Sequence, residues 1–565
     1  MKKLEQLLYN SDHKPYPVYK NLKGTYFFPE YSISVEHVQG DPFAAPSSLS
    51  IKISANVHGF PDGFLNTKHR RIALQDYLLR NFHKELKKYD HKISGSGKSG
   101  LISISSCNQE ILERSALSFD RTDKSLTVRF NIGFPAAGRT TLALELKKIL
   151  FDFIPLCISK SLKYTATDIK ELNKWINLSN DQKAIREQLK DLNLIAFVAN
   201  GSILPRKSGV DDRPMQNAVK FTSSKEDEVT LNLPNNRSIK GLGIKEGITL
   251  IVGGGYHGKS TLLKALERGV YDHIPGDGRE YVITEDSAMK LRAEDGRSII
   301  QTDISAFICD LPNGKNTMNF NTEDASGSTS QAASTVEAIL SGAHTLLIDE
   351  DTSATNFLVR DALMHKVISA AEEPIIPFIT RMQQLYTERR ISTILVAGSC
   401  GTFFNVSDNI LQMKNYNPIN ITFKAKETAL NFHNDITAPN ELPNFYDNRI
   451  PIHNNLVADS KKVKIRGQGT NSVSINHECV ELRFVEQLTD NEQTNLLGAL
   501  LRILEEKYFN GKNNLMTCLN SVYNDLEKKG FIVANYSGMI PGNYAMIRFQ
   551  ELYAMICRYR GLNLK

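Results

Sequence analysis

Residues 249–263 read TLIVGGGYHGKSTLL, and this stretch decides how the rest of the chain is read. Gly253, four residues, then Gly258-Lys259-Ser260 match the pattern G-x-x-x-x-G-K-[ST]. The apolar run Thr249 to Val252 predicts a buried strand, and STLLKALERG from Ser260 predicts a helix ended by Gly269. A strand, a glycine-rich loop and a helix in that order make a phosphate cradle. Glycines let backbone N–H groups converge on an anion, and a helix N-terminus favours negative charge. Gly253, Gly254, Gly255, Tyr256, His257 and Gly258 form the loop. Lys259 is placed to reach β- and γ-phosphates, Ser260 to ligate Mg²⁺, and Thr261 to hydrogen-bond the α-phosphate. His257 reads as a solvent-facing loop residue.

The chain around this loop has 565 residues, too many for one hydrophobic core. About two to four domains are expected at that length. With 41% hydrophobic and 23% charged residues, the composition is that of an ordinary soluble protein. No apolar run approaches the roughly 18 residues of a membrane span. The start, MKKLEQLLYNSDHKPYPVYK, lacks the apolar segment of a secretory signal. The chain has 7 cysteines and no C-x-x-C pair, which points to a reducing cytoplasm and against a disulfide framework or zinc site. A net charge of +6 permits nucleic-acid binding without requiring it.

Residues 1–200 read as an α/β domain. SLSIKIS (48–54) and SLTVRFNIG (125–133) alternate like half-buried strands, and IALQDYLLRNFHKELKKY reads as an amphipathic helix. Residues 167–194 read as one or two helices, with Trp175 packed against the core rather than stacked on a base. Turn-rich NGSILPRKSGVDDRP (200–214) is the first linker. The nucleotide-binding domain spans 215–425. PGDGRE and AEDGRS bracket short strand-like runs there, which predicts a small antiparallel section after the loop's helix. Residues 426–565 form a third, α+β domain, with strands near VELRFV and a long helix over EQTNLLGALLRILEEKY.

A phosphate loop of this kind needs a second strand ending in a carboxylate. HTLLIDEDTSATN (344–356) supplies an apolar run followed by Asp349, the Mg²⁺-side carboxylate, and Glu350, placed as general base on the attacking water. ASGSTSQAAS (325–334) resembles the LSGGQ signature of the ABC ATPases. Ser326 and Gly327 match the Ser-Gly core, and Ser328 follows at a helix start. Ser326 lies 23 residues before Asp349, the separation a typical signature keeps. DTSATN (351–356) resembles the D-loop, and Gln301, ending SIIQ, is the candidate Q-loop glutamine on the Mg²⁺ side.

Three departures stand out. After the last strand, STILVAG (392–398), a histidine usually contacts the γ-phosphate, but here Gly398, Ser399 and Cys400 follow. Either Ser399 substitutes in part or hydrolysis is slow. Asp351 stands where proline is usual. No aromatic lies between Thr222 and Gly255 to stack on adenine, so ATP is implied by resemblance and not by residues.

Taken together, the motifs resemble one family of ABC-class ATPases, many of them bacterial. It includes an ATPase associated with RNA editing in trypanosome mitochondria. QGDPFAAPS (39–47), NIGFPAAGRTT (131–141), VANGSILPR (198–206), GGGYHGKSTLL, HIPGDGRE, LRAEDGR, ASGSTSQA, LLIDEDTSATN and VEQLTDNEQ look like its landmarks, in order. The non-histidine switch and the acid after Glu350 are similar to its own pattern. The resemblance implies a P-loop NTPase core of the ABC type flanked by an N-terminal α/β domain and a C-terminal α+β domain. It also implies dimerisation through the core and binding of RNA. The chain carries one phosphate loop and one signature, so two copies would sandwich ATP and Mg²⁺ head to tail in a two-fold homodimer. Candidate contacts for single-stranded RNA are Arg70, Arg71, Arg80, Arg139, Lys461, Lys462, Lys464 and Arg466. A protein-remodelling or scaffold ATPase is the alternative. Transport is disfavoured by the missing membrane segment, and a chromosome-structural role by the missing coiled coil.

Overall fold

Alternating burial along SSLSIKI and LTVRFNI makes each a strand with one face inward. The two pair antiparallel from Ser47↔Ile132 to Ile53↔Leu126. In the computed structural model, which describes residues 1–360, 367, 373–432, 441–454, 463–535 and 538–565, they form the centre of an antiparallel sheet. Gly24–Phe27 and Ser32–His37 extend it on one side, and Ile102–Ser103 and Leu117–Phe119 pair with Leu126–Ile132 on the other. Helix Lys68–Leu86 buries Leu74, Leu78 and Phe82, and the Phe82 ring meets Phe130 edge-on at 6.2 Å. Trp175 is buried against Tyr77, ring centroids 5.8 Å apart, as its packed reading expects.

Two of the landmark loops interlock here. Lys98 N–H donates to the Pro42 carbonyl at 2.8 Å and Ser96 N–H to the Ala136 carbonyl at 2.7 Å. The amides of GFPAAGRTT are used internally: Phe134 donates to Gln39, Ala136 to Ser99 and Gly138 to Ser96. This loop is therefore a tight turn, with its backbone donors committed. These elements belong to the first of two compact units, Met1–Asn180 with Asn535–Met546.

The second unit is Asp181–Ala534 with Ile547–Lys565. Its elements run β1 (Ile248–Val252), α1 (Lys259–Arg268), β2 (Met289–Leu291), β3 (Arg297–Thr302), β4 (Phe320–Ala325), α2 (Gly327–Leu340) and β5 (Thr345–Asp349). They continue with β6 (Ser392–Val396), β7 (Asn409–Lys414) and β8 (Asn417–Asn420). The main sheet has the order β2-β5-β6-β1-β7-β8 and is parallel except for the β7–β8 hairpin. Apolar β-branched runs such as ITLIV and STILV are buried on both faces, as parallel strands require. A second, antiparallel sheet orders Glu228–Leu233, Arg237–Lys245, Leu194–Ala199 and Val282–Thr284.

The small antiparallel section expected after α1 is not one unit. Val282–Thr284 joins the antiparallel sheet, β2 pairs parallel with β5, and β3 pairs antiparallel with β4. Each run follows its burial: VIT is wholly buried and needs neighbours on both faces.

After residue 463 come three antiparallel strands, Ile465–Gln468, Ser472–Ile475 and Glu478–Glu481, and helices Asn491–Ile503, Leu515–Lys529 and Phe549–Cys557. This α+β segment shares a unit with the parallel sheet. Gln487 explains part of that union. Its amide donates to the carbonyls of Glu267 and Ala288 at 3.2 and 3.0 Å, and Tyr271 donates its hydroxyl to the Gln487 carbonyl. Among the described residues no helix is long and apolar enough to cross a membrane, and all seven cysteines are free thiols.

At Gly133 an added Cβ would lie 1.7 Å from the Lys98 carbonyl oxygen, so Gly133→Ala must move backbone. We expect a loss of about 1–3 kcal/mol or more, confined to the first unit's transition in scanning calorimetry. An unchanged transition would contradict the interlocked-loop description.

Candidate functional site

The phosphate loop leaves β1 through Gly253, whose φ is +142°. A Cβ there would meet the Met413 carbonyl oxygen of β7 at 2.6 Å, so only glycine lets the loop turn this close to its neighbouring strand. Gly258, at φ +97°, caps α1, and Tyr256 also takes a positive φ of 64°. Among the described residues, nothing accepts from the N–H groups of Gly254 to Thr261, which leaves an open ring of donors at the start of α1. Lys259 Nζ donates to the loop's own carbonyls, Gly253 at 2.6 Å and Gly254 at 3.1 Å. These donors and an ammonium held by neutral carbonyls fit a polyphosphate.

His257 differs from its sequence reading. It is half-buried, and its Nδ1 accepts from the Asn415 N–H at 3.1 Å while its carbonyl accepts from the Tyr416 N–H at 3.0 Å. The imidazole therefore fastens the loop to the β7–β8 turn. A histidine inside a glycine-rich loop gives no sequence signal for such a partner 158 residues away.

Asp349 ends β5 and is buried, with Oδ1 accepting from the Asp351 N–H. Burial pushes its pKa up, opposed by the Lys290 ammonium on β2. A desolvated carboxylate of this kind suits a bound cation better than solvent exposure would. Glu350 is held from the end of β6. Its Oε2 accepts from the N–H groups of Gly398 at 2.6 Å and Ser399 at 3.1 Å, and Ser399 Oγ donates to Oε1 at 2.6 Å. A Cβ on Gly398 would lie 3.9 Å from Lys259 Nζ and 4.0 Å from Glu350 Oε2. Lys259, Glu350 and the Gly398-Ser399 turn thus meet at one place, where the missing histidine was expected.

Ser326 precedes α2 as its N-cap residue and is exposed; Gly327 lies against Asp295, Ala293 and Ala354. Ser328, read as a nucleotide contact, is turned inward instead, with its hydroxyl donated to Asn356 Oδ1 at 2.6 Å. The fully buried Gln331 bridges α2 to the D-loop, donating to Ser353 Oγ and accepting from the Ala354 N–H, each at 2.9 Å. The signature helix and the segment after Glu350 therefore form one braced piece. Sequence reasoning missed this, because Gln331 looked like one more polar residue of a Ser-rich run. Gln301, at the end of β3, has φ +46° and donates its N–H to Asn321. No hydrogen bond among the described residues joins its side chain to Asp349 or Glu350.

The basic candidates divide into three sets. Arg70 donates to Asn180 and Gly63, and Arg80 pairs with Asp76 and donates to the carbonyls of Cys107, Asn108 and Glu110. Arg71 is half-buried, and burial lowers its pKa. Arg70 and Arg80 are thus engaged by partners within their own fold, which leaves them less available as RNA contacts. Arg139, Lys464 and Arg466 are exposed, and no ion pair among the described residues engages them. Lys461 and Lys462 lie outside the described residues.

Comparison with known proteins gives three consecutive family matches. Residues 1–165 match "ATPase of the ABC class N-terminal", residues 168–445 the ABC ATPase P-loop domain, and residues 464–565 the MRB1590 C-terminal domain. The uncharacterized protein MJ1628 of Methanocaldococcus jannaschii is 35% identical over 228 residues, 38% of this chain and 50% of that protein. The chain thus spans about half the length of this curated relative. Two solved structures are weakly similar. The ADP conformation of MJ1267, an ATP-binding cassette of an ABC transporter, has 12% identity and a TM-score of 0.23, covering 36% of this chain and 92% of its own. The cbiO1 protein of Clostridium perfringens, part of the cbiONQ transporter complex, has 12% identity and a TM-score of 0.24, covering 42% and 96%. With successive matches to family domains over nearly all its length, and with the phosphate loop and the Lys259–Glu350 meeting point just described, the chain belongs to the ABC-class ATPases.

Proposed function

We propose that this chain is a non-transporter ATPase that closes as a homodimer around ATP and couples closure and hydrolysis to a grip on single-stranded RNA. The observation that carries the dimeric part is the exposed start of α2. Gly327 neighbours Asp295, Ala293 and Ala354, Ser326 Oγ meets Thr329 Oγ1, and no hydrogen bond among the described residues ties either residue to its own phosphate loop. A helix N-terminus presented outward is suited to the γ-phosphate held by a second copy.

In this reading the donors of residues 254–261 cradle the phosphates, and Lys259 leaves the carbonyls of Gly253 and Gly254 for the β- and γ-phosphates. Mg²⁺, held by Ser260 and Asp349, would offset phosphate charge, with Gln301 a further candidate on that side. Glu350 takes the proton of the attacking water. Among the described residues its Oε1 accepts only from Ser399 Oγ and keeps lone-pair capacity for that proton, while the Gly398 and Ser399 N–H groups fix the carboxylate plane. Ser399 thus orients the base from the position usually given to histidine. The Gln331 brace would link hydrolysis at one site to the signature offered to the other.

RNA as cargo is supported by resemblance to the trypanosome editing-associated ATPase and by exposed Arg139, Lys464 and Arg466. Lys464 and Arg466 alternate on one face of the strand Ile465–Gln468 or its approach. The division into an N-terminal domain 1–200, a core 215–425 and a C-terminal domain 426–565 belongs to the same proposal, as does residence in the cytoplasm.

Glu350→Gln should lower kcat at least about 100-fold and retain ATP, so native mass measurement should find an ATP-dependent dimer. A variant that stays monomeric with ATP contradicts the composite site. Ser326→Arg should abolish hydrolysis while ATP binding survives; full activity would remove the signature assignment. Fluorescence anisotropy of Glu350→Gln with short single-stranded RNA should give binding that weakens steeply with salt and changes with ATP. Replacing Arg139 or Arg466 with alanine should reduce the log–log salt slope by about 1 if each meets a phosphate. No RNA binding at low salt, with or without ATP, would leave the protein-remodelling reading.

A further inference from the structure

The turn between β7 and β8 is a two-residue hairpin loop, Asn415-Tyr416, closed by the pair Lys414↔Asn417. Both residues are left-handed, with φ of 49° and 68°. That is the pattern of a type I′ turn, whose favoured sequence is Asn-Gly because the second residue must hold a positive φ. A tyrosine there is strained, and such strain collects where a side chain has a use.

The side chain sits on the phosphate loop. A Cβ built on Gly258 would come within 2.7 Å of Tyr416 Cδ1, so the ring lies directly against the glycine that opens α1. Two hydrogen bonds from the turn to His257 hold it there, and on the other side Asn417 Oδ1 accepts from the Thr222 N–H at 2.8 Å. Tyr416 is 37% exposed, so the residue is not closed off from solvent. Tyr256 is the other aromatic of the loop, but at 99% exposure no neighbour among the described residues holds its ring.

We propose that Tyr416 stacks on the base of the bound nucleotide, supplying from the β7–β8 turn the aromatic that the segment before the phosphate loop lacks. This rests on the phosphate loop being an ATP site, as argued above. A nucleotide whose phosphates occupy the donors of residues 254–261 enters beside Gly258, with its base in reach of a ring fixed on that glycine. Stacking on a fixed aromatic face needs no base-specific hydrogen bond and strengthens binding about ten-fold or more.

The test compares ATP with inorganic tripolyphosphate, which has the anion and no base, as competitors of a fluorescent ATP analogue. The proteins are wild type, Tyr416→Phe and Tyr416→Gly. Glycine restores the favoured Asn-Gly turn, so that variant should remain folded with no loss of thermal stability. The expected result is a roughly ten-fold weaker ATP affinity in Tyr416→Gly, unchanged tripolyphosphate affinity, and wild-type behaviour in Tyr416→Phe. Equal weakening of both ligands would make Tyr416 a mere support for the loop and overturn the proposal, as would unchanged ATP affinity. Wild-type protein that binds neither ligand would instead overturn the nucleotide site itself.

Discussion

Everything at the candidate site depends on one close approach, that of Gly253 to the Met413 carbonyl. The loop can leave β1 and double back to start α1 only because no side chain stands between the two strands. From that turn follow the open ring of N–H donors, the reach of Lys259 across the loop and the docking of the β7–β8 turn on His257. A substituent at Gly253 would push β1 and β7 apart, and with them the loop and the turn that clasps it. The two strands are adjacent in the parallel sheet, so the constraint is built into the topology and not into a loop that could relax alone.

Charge at the site is balanced by internal partners. Lys259 is satisfied by carbonyl oxygens and Glu350 by a serine hydroxyl and two amides. Carbonyl dipoles hold an ammonium less strongly than polyphosphate does, so the lysine is ready to exchange partners. The carboxylate differs, because its three donors come from Gly398 and Ser399, just after β6. In the proposed mechanism the sheet thus fixes Glu350 as the base, and the loop supplies the movable cation. The hydrogen bonds of Gln331 tie α2 to the segment that follows Glu350.

Much of this was legible in sequence, because it is local. The strand, loop and helix around 249–263 are a contiguous pattern, the apolar run before Asp349 is another, and Ser47–Ile53 and Leu126–Ile132 announce themselves by alternation. What was hidden is what depends on distant pairing. VIT and MKL are both short strand-like runs, yet one joins an antiparallel sheet and the other a parallel one. Arg70 and Arg80 read as candidate RNA contacts, but Asn180 and Asp76 hold them, and no charge count along the chain reveals that. Gln487 sits in a landmark stretch whose purpose was unreadable until its amide was seen between two main-chain carbonyls. Ser399 is intermediate, since the missing histidine drew attention to the position and the structure supplied its partner.

The central claim is that each complete ATP site is built from two copies. It is tested most directly by mixing two inactive proteins, Ser326→Arg and Glu350→Gln, and assaying hydrolysis. In a head-to-tail dimer the mixed species has one site with an intact Lys259 and Glu350 from one copy and an intact Ser326 from the other. The mixture is expected to regain a measurable part of wild-type activity while each variant alone stays inactive. A mixture as inactive as its components, in which mass measurement shows the mixed dimer has formed, would contradict that claim.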